Sequence, residues 1–235
     1  MKLDKLTPFN DTFGESIGRG KDNVVVPFNK TENLVVKWNH DLKINLDSKD
    51  NFQRILYKKR KYEMLKFFLP DFIPDSYFVL GNKQDGNRLK TKEYTLQKKI
   101  PQRTIASLNE EQKKDPRLLK NIYTLILKLQ NMYRMIQQIN NVVEDIAKID
   151  ARLDLGGLSK YVDQHINENI KNFNWNITNY NFINSPNLLV DPETMNIYCI
   201  DFDRGIWNDE KEAAYTMLIS LAKQDNNVIK IIEKK

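Results

Sequence analysis

Two short apolar runs joined by a turn constrain this chain more than any other feature. "LLV" (188–190) and "IYCI" (197–200) flank the turn-forming stretch "DPETMN", which predicts an antiparallel hairpin. The residue before the first strand and the residue after the second then lie at the same end, so we expect Asn187 beside Asp201. Their amide and carboxylate oxygens would suit a hard cation such as Mg²⁺. Two side chains that merely cap turns would give the same pattern.

The stretch "GRGKDNVV" is the second candidate site. Gly18, Gly20, Asn23 and Val25 fit the spacing GxGxxGxV, with asparagine at the third glycine position. Glycines here would let backbone N–H groups approach a phosphate without a Cβ in the way. Asparagine tolerates positive φ better than most residues, so this substitution is mild. An ordinary hairpin turn is the alternative explanation.

A lysine inside an apolar strand is the third feature. Lys37 ends "LVVK", two short strands after the glycine turn, which would aim its ammonium group at a phosphate held there. Glu63, on a helix predicted over 50–69, could be its fixed counter-ion. An edge lysine that extends toward solvent, and a surface ion pair of Glu63 with Lys59 or Lys66, remain the alternatives.

The remaining pattern separates a β-rich front from a mostly helical back. Apolar residues recur at helical spacing from Leu118 to Ile149, after the helix-start signal Asp115-Pro116. Further helices are predicted from about 158 to 172 and from about Asn208, with the asparagine-rich segment "NFNWNITNYNFINSPN" (172–187) as a loop. Strands are predicted at "VVVPF" (24–28), "LVVKW" (34–38), "SYFVLG" (76–81) and "EYTLQKKI" (93–100), with "NKQDGN" (82–87) as a turn.

The order of these features resembles the protein kinase-like superfamily. "GRGKDNVV" looks like its glycine loop, "LVVK" like its V-A-I-K strand, and "NLLVDPETMNIYCIDFD" like its catalytic-loop Asn, hairpin and D-F-G. The "IDFDRG" ending and the compact size are most similar to a small bacterial branch. That branch includes the sugar-acid kinases of lipopolysaccharide, the RIO-like kinases, and the aminoglycoside and choline kinases. The resemblance covers roughly residues 14–207.

This resemblance implies a two-lobed α+β fold that binds ATP and Mg²⁺. Residues 1–97 would form a nucleotide-binding N-lobe with a five-stranded sheet and one helix, 98–102 a hinge, and 103–235 a helical C-lobe carrying the metal-binding hairpin. The resemblance also implies a role for each site residue. Gly18 and Gly20 would cover the phosphates, with Asn23 and Val25 in the same loop, and Lys37, braced by Glu63, would bind the α- and β-phosphates. Asn187 and Asp201 would bind the metal.

One departure from the family pattern leaves two functions open. The position five residues before Asn187, where the family has its catalytic Asp, is Phe182, and no Asp or Glu lies between Asn169 and Asp191. The chain is then either an atypical kinase that phosphorylates a hydroxyl of a small molecule or protein, or a pseudokinase that may hold nucleotide without phosphoryl transfer. Asp203 is either a turn residue or a substitute for the missing acid.

Composition excludes several other classes. A single cysteine, Cys199, and two distant histidines argue against an internal disulfide framework and against a Cys- or His-rich metal site. No apolar leader or apolar run of about 18 residues occurs, so we expect a cytoplasmic protein without a membrane span. The net charge of +6 comes without an interleaved aromatic–basic motif, so nucleic acid is not an expected partner. The expected partners are ATP and an unknown hydroxyl acceptor.

Overall fold

The computed structural model describes residues 15, 17–19, 23–28, 33–39, 48–85, 88–101, 103–142, 153–169, 181–201 and 209–224. These residues form a mixture of antiparallel strands and helices, which confirms the predicted α+β class. The chain divides into two compact units. The first contains Met1–Lys59, Asp75–Lys99 and Gly205–Trp207, and the second contains Arg60–Pro74, Ile100–Arg204 and Asn208–Lys235.

The first unit is built on a five-stranded antiparallel sheet in the order β1-β2-β3-β5-β4. One face of the sheet is apolar, with Val26, Val36 and Tyr94 at the centre of its core. The opposite face carries buried polar side chains of β5, including Glu93 and Thr95. The strands are β1 (Gly18–Arg19), β2 (Asn23–Pro27), β3 (Leu34–Asn39), β4 (Ser76–Asp85) and β5 (Arg88–Lys98).

The turn predicted at "NKQDGN" is shorter than the sequence suggested. Residues 82–85 continue β4, and Asp85 pairs with Arg88, so only two residues connect β4 to β5. Polar residues are common in turns, but a long two-stranded ladder provides hydrogen bonds for their backbone groups equally well. The polar composition of residues 82–87 therefore did not locate the turn. Gly18 and Arg19 likewise form a short strand paired with β2, although the sequence places them in a turn.

Helix α1 (Ser48–Phe68) matches the helix predicted over 50–69. Its last backbone bond runs from the N–H of Leu69 to the carbonyl of Leu65, and Pro70 follows, which cannot continue the ladder. The N-terminal part of α1 belongs to the first unit, and the part from Arg60 onward belongs to the second.

The core of the second unit is organised by the long helix α3 (Pro116–Val142). Asp115 caps it by accepting a hydrogen bond from the N–H of Arg117 at 2.8 Å, as the sequence predicted. Residues 143–149, the end of the predicted helix, lie outside the described residues. The stripe that α3 buries consists of Leu118, Ile122, Leu125, Ile126, Leu129, Met132, Ile136 and Ile139.

Shorter elements complete the second unit. They are the helices α2 (Glu110–Lys113), α4 (Gly157–Gln164) and α5 (Asp209–Gln224), the strands β6 (Leu188–Val190) and β7 (Ile197–Cys199), and 3-10 turns at Ile105–Ser107 and Asn181–Asn184. The start of α5 agrees with the sequence. Within the described parts of the chain, no helix has the length and apolar character needed to cross a membrane.

Two predictions in this region require correction. The helix predicted over 158–172 ends at Gln164, because the side-chain amide of Gln130 donates hydrogen bonds to the carbonyls of His165 and Glu168. Those bonds satisfy backbone acceptors that a longer helix would have used. The last part of the predicted asparagine-rich loop contains the 3-10 turn Asn181–Asn184, and residues 170–180 lie outside the described residues.

Candidate functional site

The β6–β7 hairpin brings Asn187 and Asp201 to the same end. Leu188 pairs with Cys199, and the N–H of Ile200 donates a 2.9 Å hydrogen bond to the carbonyl of Asn187. The buried side chains of the two strands, including Cys199, anchor the hairpin in the second unit. Asp201 is the next residue after this last hydrogen-bonded pair, so the backbone geometry that the sequence predicted is present.

The orientation of the Asn187 side chain is fixed by a backbone group. Its Nδ2 donates a 3.0 Å hydrogen bond to the carbonyl oxygen of Asp154. Because a carbonyl can only accept, the amide nitrogen must be the atom that faces Asp154. The Oδ1 of Asn187 is therefore directed elsewhere, as an acceptor for a further donor or as a ligand for a cation.

Asp201 has an unusual backbone conformation. Its φ is 63°, in the left-handed region that costs a non-glycine residue about 1–3 kcal/mol. Within the described part of the chain, Met195 is the other non-glycine residue with positive φ, and it lies in the hairpin turn, where such a conformation is common. Asp201 instead follows a strand. Backbone strain of this kind clusters at functional sites, which makes Asp201 a stronger candidate than its sequence position alone.

Asp154 was not found by sequence reasoning. It lies between two buried leucines, and the N–H of Leu155 donates a 2.9 Å hydrogen bond to the carbonyl of Leu153, so Asp154 is the central residue of a tight turn. Its own side chain is exposed. Among the described residues, no group donates a hydrogen bond to its carboxylate. The turn thus places the backbone carbonyl of Asp154 beside Asn187.

A buried polar network holds the Asp154 turn in place. Ser159 Oγ donates a 2.6 Å hydrogen bond to the carbonyl of Leu153, and Ser159 is itself 3.2 Å from the Tyr133 hydroxyl oxygen. That hydroxyl also accepts a longer, 3.5 Å hydrogen bond from the N–H of Leu153. Burial raises the pKa of Tyr133 to about 12, although the hydrogen bonds to Ser159 and Leu153 act in the opposite direction. The hydroxyl therefore stays neutral at physiological pH.

Phe182 has a structural role at the position where the kinase-like motif has an acid. Its side chain is 1% exposed, one of the largest fully buried side chains among the described residues. It lies in the 3-10 turn Asn181–Asn184, whose carbonyl at Phe182 accepts a hydrogen bond from the N–H of Ser185. The segment before Asn187 is therefore held by an apolar anchor and supplies no proton acceptor at that position.

In the first unit, strand register places three predicted residues in one row. Gly18 pairs with Val25, Val25 pairs with Lys37, and Lys37 pairs with Thr95. Neighbouring strands are about 4.8 Å apart, so Gly18 and Lys37 are about 10 Å apart across β2. Lys37 is partly buried. Gly20 lies outside the described residues, and Asn23 is placed only by its backbone, paired with Asn39.

Glu63 is paired with a neighbour on its own helix. Its Oε2 accepts a 3.0 Å hydrogen bond from Arg60, one turn earlier, and both side chains are well exposed. A surface ion pair was the alternative for Glu63, and such a pair is present. Its cation is Arg60 rather than Lys59 or Lys66. Whether Glu63 also braces Lys37 stays a prediction.

A buried carboxylate lies on the same sheet face as Lys37. Glu93 is two residues from Thr95, the direct partner of Lys37, so both side chains occupy one face of the sheet. Its Oε1 is 2.8 Å from Arg54 and 3.2 Å from Lys58, both on α1. Glu93 is 1% exposed, and its Oε2 has no hydrogen-bond partner in the described part of the structure. No sequence pattern points to this cluster beyond the presence of charged residues.

The donor set at the hairpin suits Mg²⁺ better than a transition metal. Amide and carboxylate oxygens are hard ligands, and Mg²⁺ usually completes its octahedron with phosphate oxygens and water rather than with a full protein cage. Among the described residues there is no group of three His, Cys, Asp or Glu side chains that could hold a metal. Asp203 lies outside the described residues.

Comparison with family models and with curated proteins finds no match to this chain. The assignment of function therefore depends on the geometry of the residues described above.

Proposed function

We propose that this protein is an atypical kinase-like phosphotransferase that binds ATP and Mg²⁺ in a two-lobed arrangement and acts on a hydroxyl group. The observation that supports it most is the hairpin end where Asn187 and a left-handed Asp201 come together. An amide oxygen and a carboxylate at one strand end are the kind of oxygen ligands that Mg²⁺ takes together with substrate phosphates.

The row Gly18–Val25–Lys37 supports the phosphate part of the proposal. A glycine at the edge strand allows close approach of a phosphate to the backbone, and the partly buried Lys37 ammonium supplies a positive charge on the same row. In the proposed role, Lys37 binds the α- and β-phosphates, and Gly20 covers them together with Gly18. Bound Mg²⁺ would neutralise charge that develops on the phosphates, held by Asn187 and Asp201.

A pseudokinase that binds nucleotide without transfer is the second candidate. The buried Phe182 favours it, because the usual proton acceptor is replaced by a core side chain. Phosphoryl transfer depends mainly on positioning and charge neutralisation, so the loss of that acid does not by itself exclude catalysis. Both candidates bind ATP at the same site, and they differ in whether the γ-phosphate is transferred.

A thermal-shift titration with ATP, with and without Mg²⁺, tests the shared site. At an ATP concentration 100 times Kd, binding stabilises the folded state by about 2.7 kcal/mol, which for a chain of this size raises Tm by roughly 5–10 °C. We expect this shift in the wild-type protein with Mg²⁺ and expect Asp201→Asn to lose most of the part that depends on Mg²⁺.

Glu193→Gln is the matched control, because Glu193 is an exposed carboxylate at the turn end of the same hairpin. It should behave as wild type. If neither ATP nor ATP with Mg²⁺ stabilises the wild-type protein, the nucleotide site is wrong. Stabilisation without transfer of labelled γ-phosphate to water or to any alcohol favours the pseudokinase.

A further inference from the structure

We infer that Arg54 is a second phosphate-binding cation of this protein, oriented by the buried carboxylate of Glu93 on the sheet face that also carries Lys37. This inference rests on the proposed function and adds a residue of helix α1 to its phosphate site. The ligand class is a polyphosphate, whose oxygens can accept parallel hydrogen bonds from the planar guanidinium group of an arginine.

Glu93 fixes the position of the Arg54 side chain. A terminal nitrogen of the guanidinium is 2.8 Å from Glu93 Oε1, and the Glu93 side chain is almost wholly buried, so the carboxylate is held firmly within the sheet face. The Arg54 side chain itself is 22% exposed. Because an arginine that is already ordered loses less conformational entropy when it binds a ligand, Arg54 is prepared for binding while part of it stays accessible.

The guanidinium of Arg54 keeps donors that the fold does not use. Its ion pair with Glu93 occupies one terminal nitrogen, and within the described ranges its remaining nitrogens have no hydrogen-bond partner. Arg117 differs, because its Nε and one terminal nitrogen donate to Asp115 and its other terminal nitrogen donates to the carbonyl of Glu193. A guanidinium with unused N–H groups can bind the oxygens of a phosphate.

The charges around Glu93 are not balanced by the fold. The buried Lys58 lies 3.2 Å from the same Oε1 and is enough to neutralise this carboxylate. Arg54 lies four residues before Lys58 on α1, and two like charges at that spacing repel each other. Glu93 is the one carboxylate that is buried in the part of the chain that the structure describes. Arg54 therefore adds a positive charge that an anionic ligand would balance.

The strand register places this positive charge near Lys37. Lys37 pairs with Thr95, and Glu93 is two residues from Thr95 on the same face, so Lys37 and Glu93 are diagonal neighbours. Long side chains at diagonal positions are within reach of each other. Glu93 Oε2 has no hydrogen-bond partner among the described residues, so the carboxylate keeps an acceptor atom for a further donor on this face. Cations from α1 and from β3 thus lie near one carboxylate, which suits a ligand with several negative charges.

Isothermal titration with tripolyphosphate and with ATP, both without Mg²⁺, tests the role of Arg54. Loss of a charged phosphate contact should weaken the binding of both ligands about tenfold in Arg54→Met. Arg54→Lys keeps a positive charge beside Glu93 but loses the planar group, so it should bind both ligands about threefold or more weakly than wild type. Arg134→Met is the control, because Arg134 is an exposed arginine on α3, and it should bind as wild type.

Lys58→Met separates ligand binding from support of the fold. Lys58 shares Glu93 Oε1 with Arg54 but is buried, so we expect its loss to reduce stability more, and affinity less, than the loss of Arg54. Urea unfolding gives the stability of each variant, and titration of the same preparations gives the affinity. An equal or larger loss of affinity in Lys58→Met would show that Arg54 acts through the fold and would overturn the inference. If Arg54→Met does not fold, Arg54→Lys, which keeps the charge beside Glu93, decides the question.

The other outcomes distinguish this inference from the proposed function. If wild type binds ATP and both Arg54 variants bind it with wild-type affinity, the role of Arg54 is overturned while the nucleotide site stands. If wild type binds tripolyphosphate but not ATP, and Arg54→Met loses that binding, the role of Arg54 stands and the nucleotide proposal fails. Binding of neither ligand by wild type overturns both.

Discussion

Phe182 and Asp154 show that the position of a residue along the chain does not determine what it contacts in space. Phe182 stands five residues before Asn187, where the kinase-like pattern has an acid, yet its ring is buried. Asp154 is 33 residues from Asn187 and yet contacts it. A search by residue spacing finds the position of Phe182 but cannot find Asp154. The contact between Asp154 and Asn187 depends on how the whole segment between them folds.

The same limit of sequence-based prediction applies to Glu63 and Glu93 in the first half of the chain. The family resemblance implies Glu63 as the counter-ion of Lys37. The described contacts include an ion pair of Glu63 with Arg60, on its own helix, and the bracing of Lys37 stays a prediction. Glu93 was read only as part of a strand. Its burial follows from the pairing of β3 with β5, which brings together residues about sixty positions apart and has no local signature.

Tyr133 provides a pH-dependent test of the buried network. Its folded-state pKa is raised to about 12, whereas the unfolded value is near 10, so the folded state holds this proton more tightly. The resulting stability is fully present below pH 10 and is lost as pH rises toward 12. Between pH 9 and pH 11, wild type should therefore lose about 1.4 kcal/mol of unfolding free energy relative to Tyr133→Phe.

Urea unfolding of both proteins across this pH range provides the measurement. The comparison cancels the titration of the other tyrosines and lysines, because both proteins contain them. A constant difference between the two proteins from pH 9 to pH 11 would show that Tyr133 is not buried as described.

At the scale of elements, the local sequence pattern predicted which helices and strands exist better than it predicted where they begin and end. The β6–β7 hairpin was predicted, because two short apolar strands joined by the turn "DPETMN" pair antiparallel. The strands β2 and β3 and the helices α1 and α5 follow from β-branched runs and helical periodicity. The end of α4 could not be read locally, because it depends on a hydrogen-bond donor from α3, Gln130.

The attachment of α1 to β5 depends on a buried ion cluster. Glu93 is 1% exposed and accepts from both Arg54 and Lys58, the second of which is also buried. Glu93→Gln removes the buried negative charge that faces Arg54 and the buried Lys58 ammonium, so we expect a loss of about 3 kcal/mol in unfolding free energy.

Urea unfolding measures this loss, with Glu111→Gln as the control, since Glu111 is an exposed carboxylate on the short helix α2. The control should change stability by less than about 0.5 kcal/mol. Equal stability of Glu93→Gln and wild type would mean that the cluster does not hold α1 on the sheet.

At the scale of the whole molecule, the α+β class was predictable because the β-rich front and the helical back differ in apolar period. Part of the candidate site was also predictable from the sequence. The Asn187–Asp201 hairpin end was expected from strand pairing, which is a local rule. Gly18, by contrast, was expected in a turn and lies in a short strand beside Val25. Asp154 and Glu93 depend on tertiary contacts, so they became visible only in the folded chain.

The central proposal is that this chain binds ATP with Mg²⁺, with Lys37 contacting phosphate and Asp201 contacting the metal. Isothermal titration with ATP on wild type, Lys37→Ala and Asp201→Asn, each with and without Mg²⁺, tests this most directly. Loss of a charged phosphate contact should weaken ATP binding by about tenfold or more in Lys37→Ala, whether or not Mg²⁺ is present. Asp201→Asn should weaken binding only when Mg²⁺ is present. Wild-type affinity in Lys37→Ala, or equal affinity of wild type and Asp201→Asn in Mg²⁺, would contradict the account.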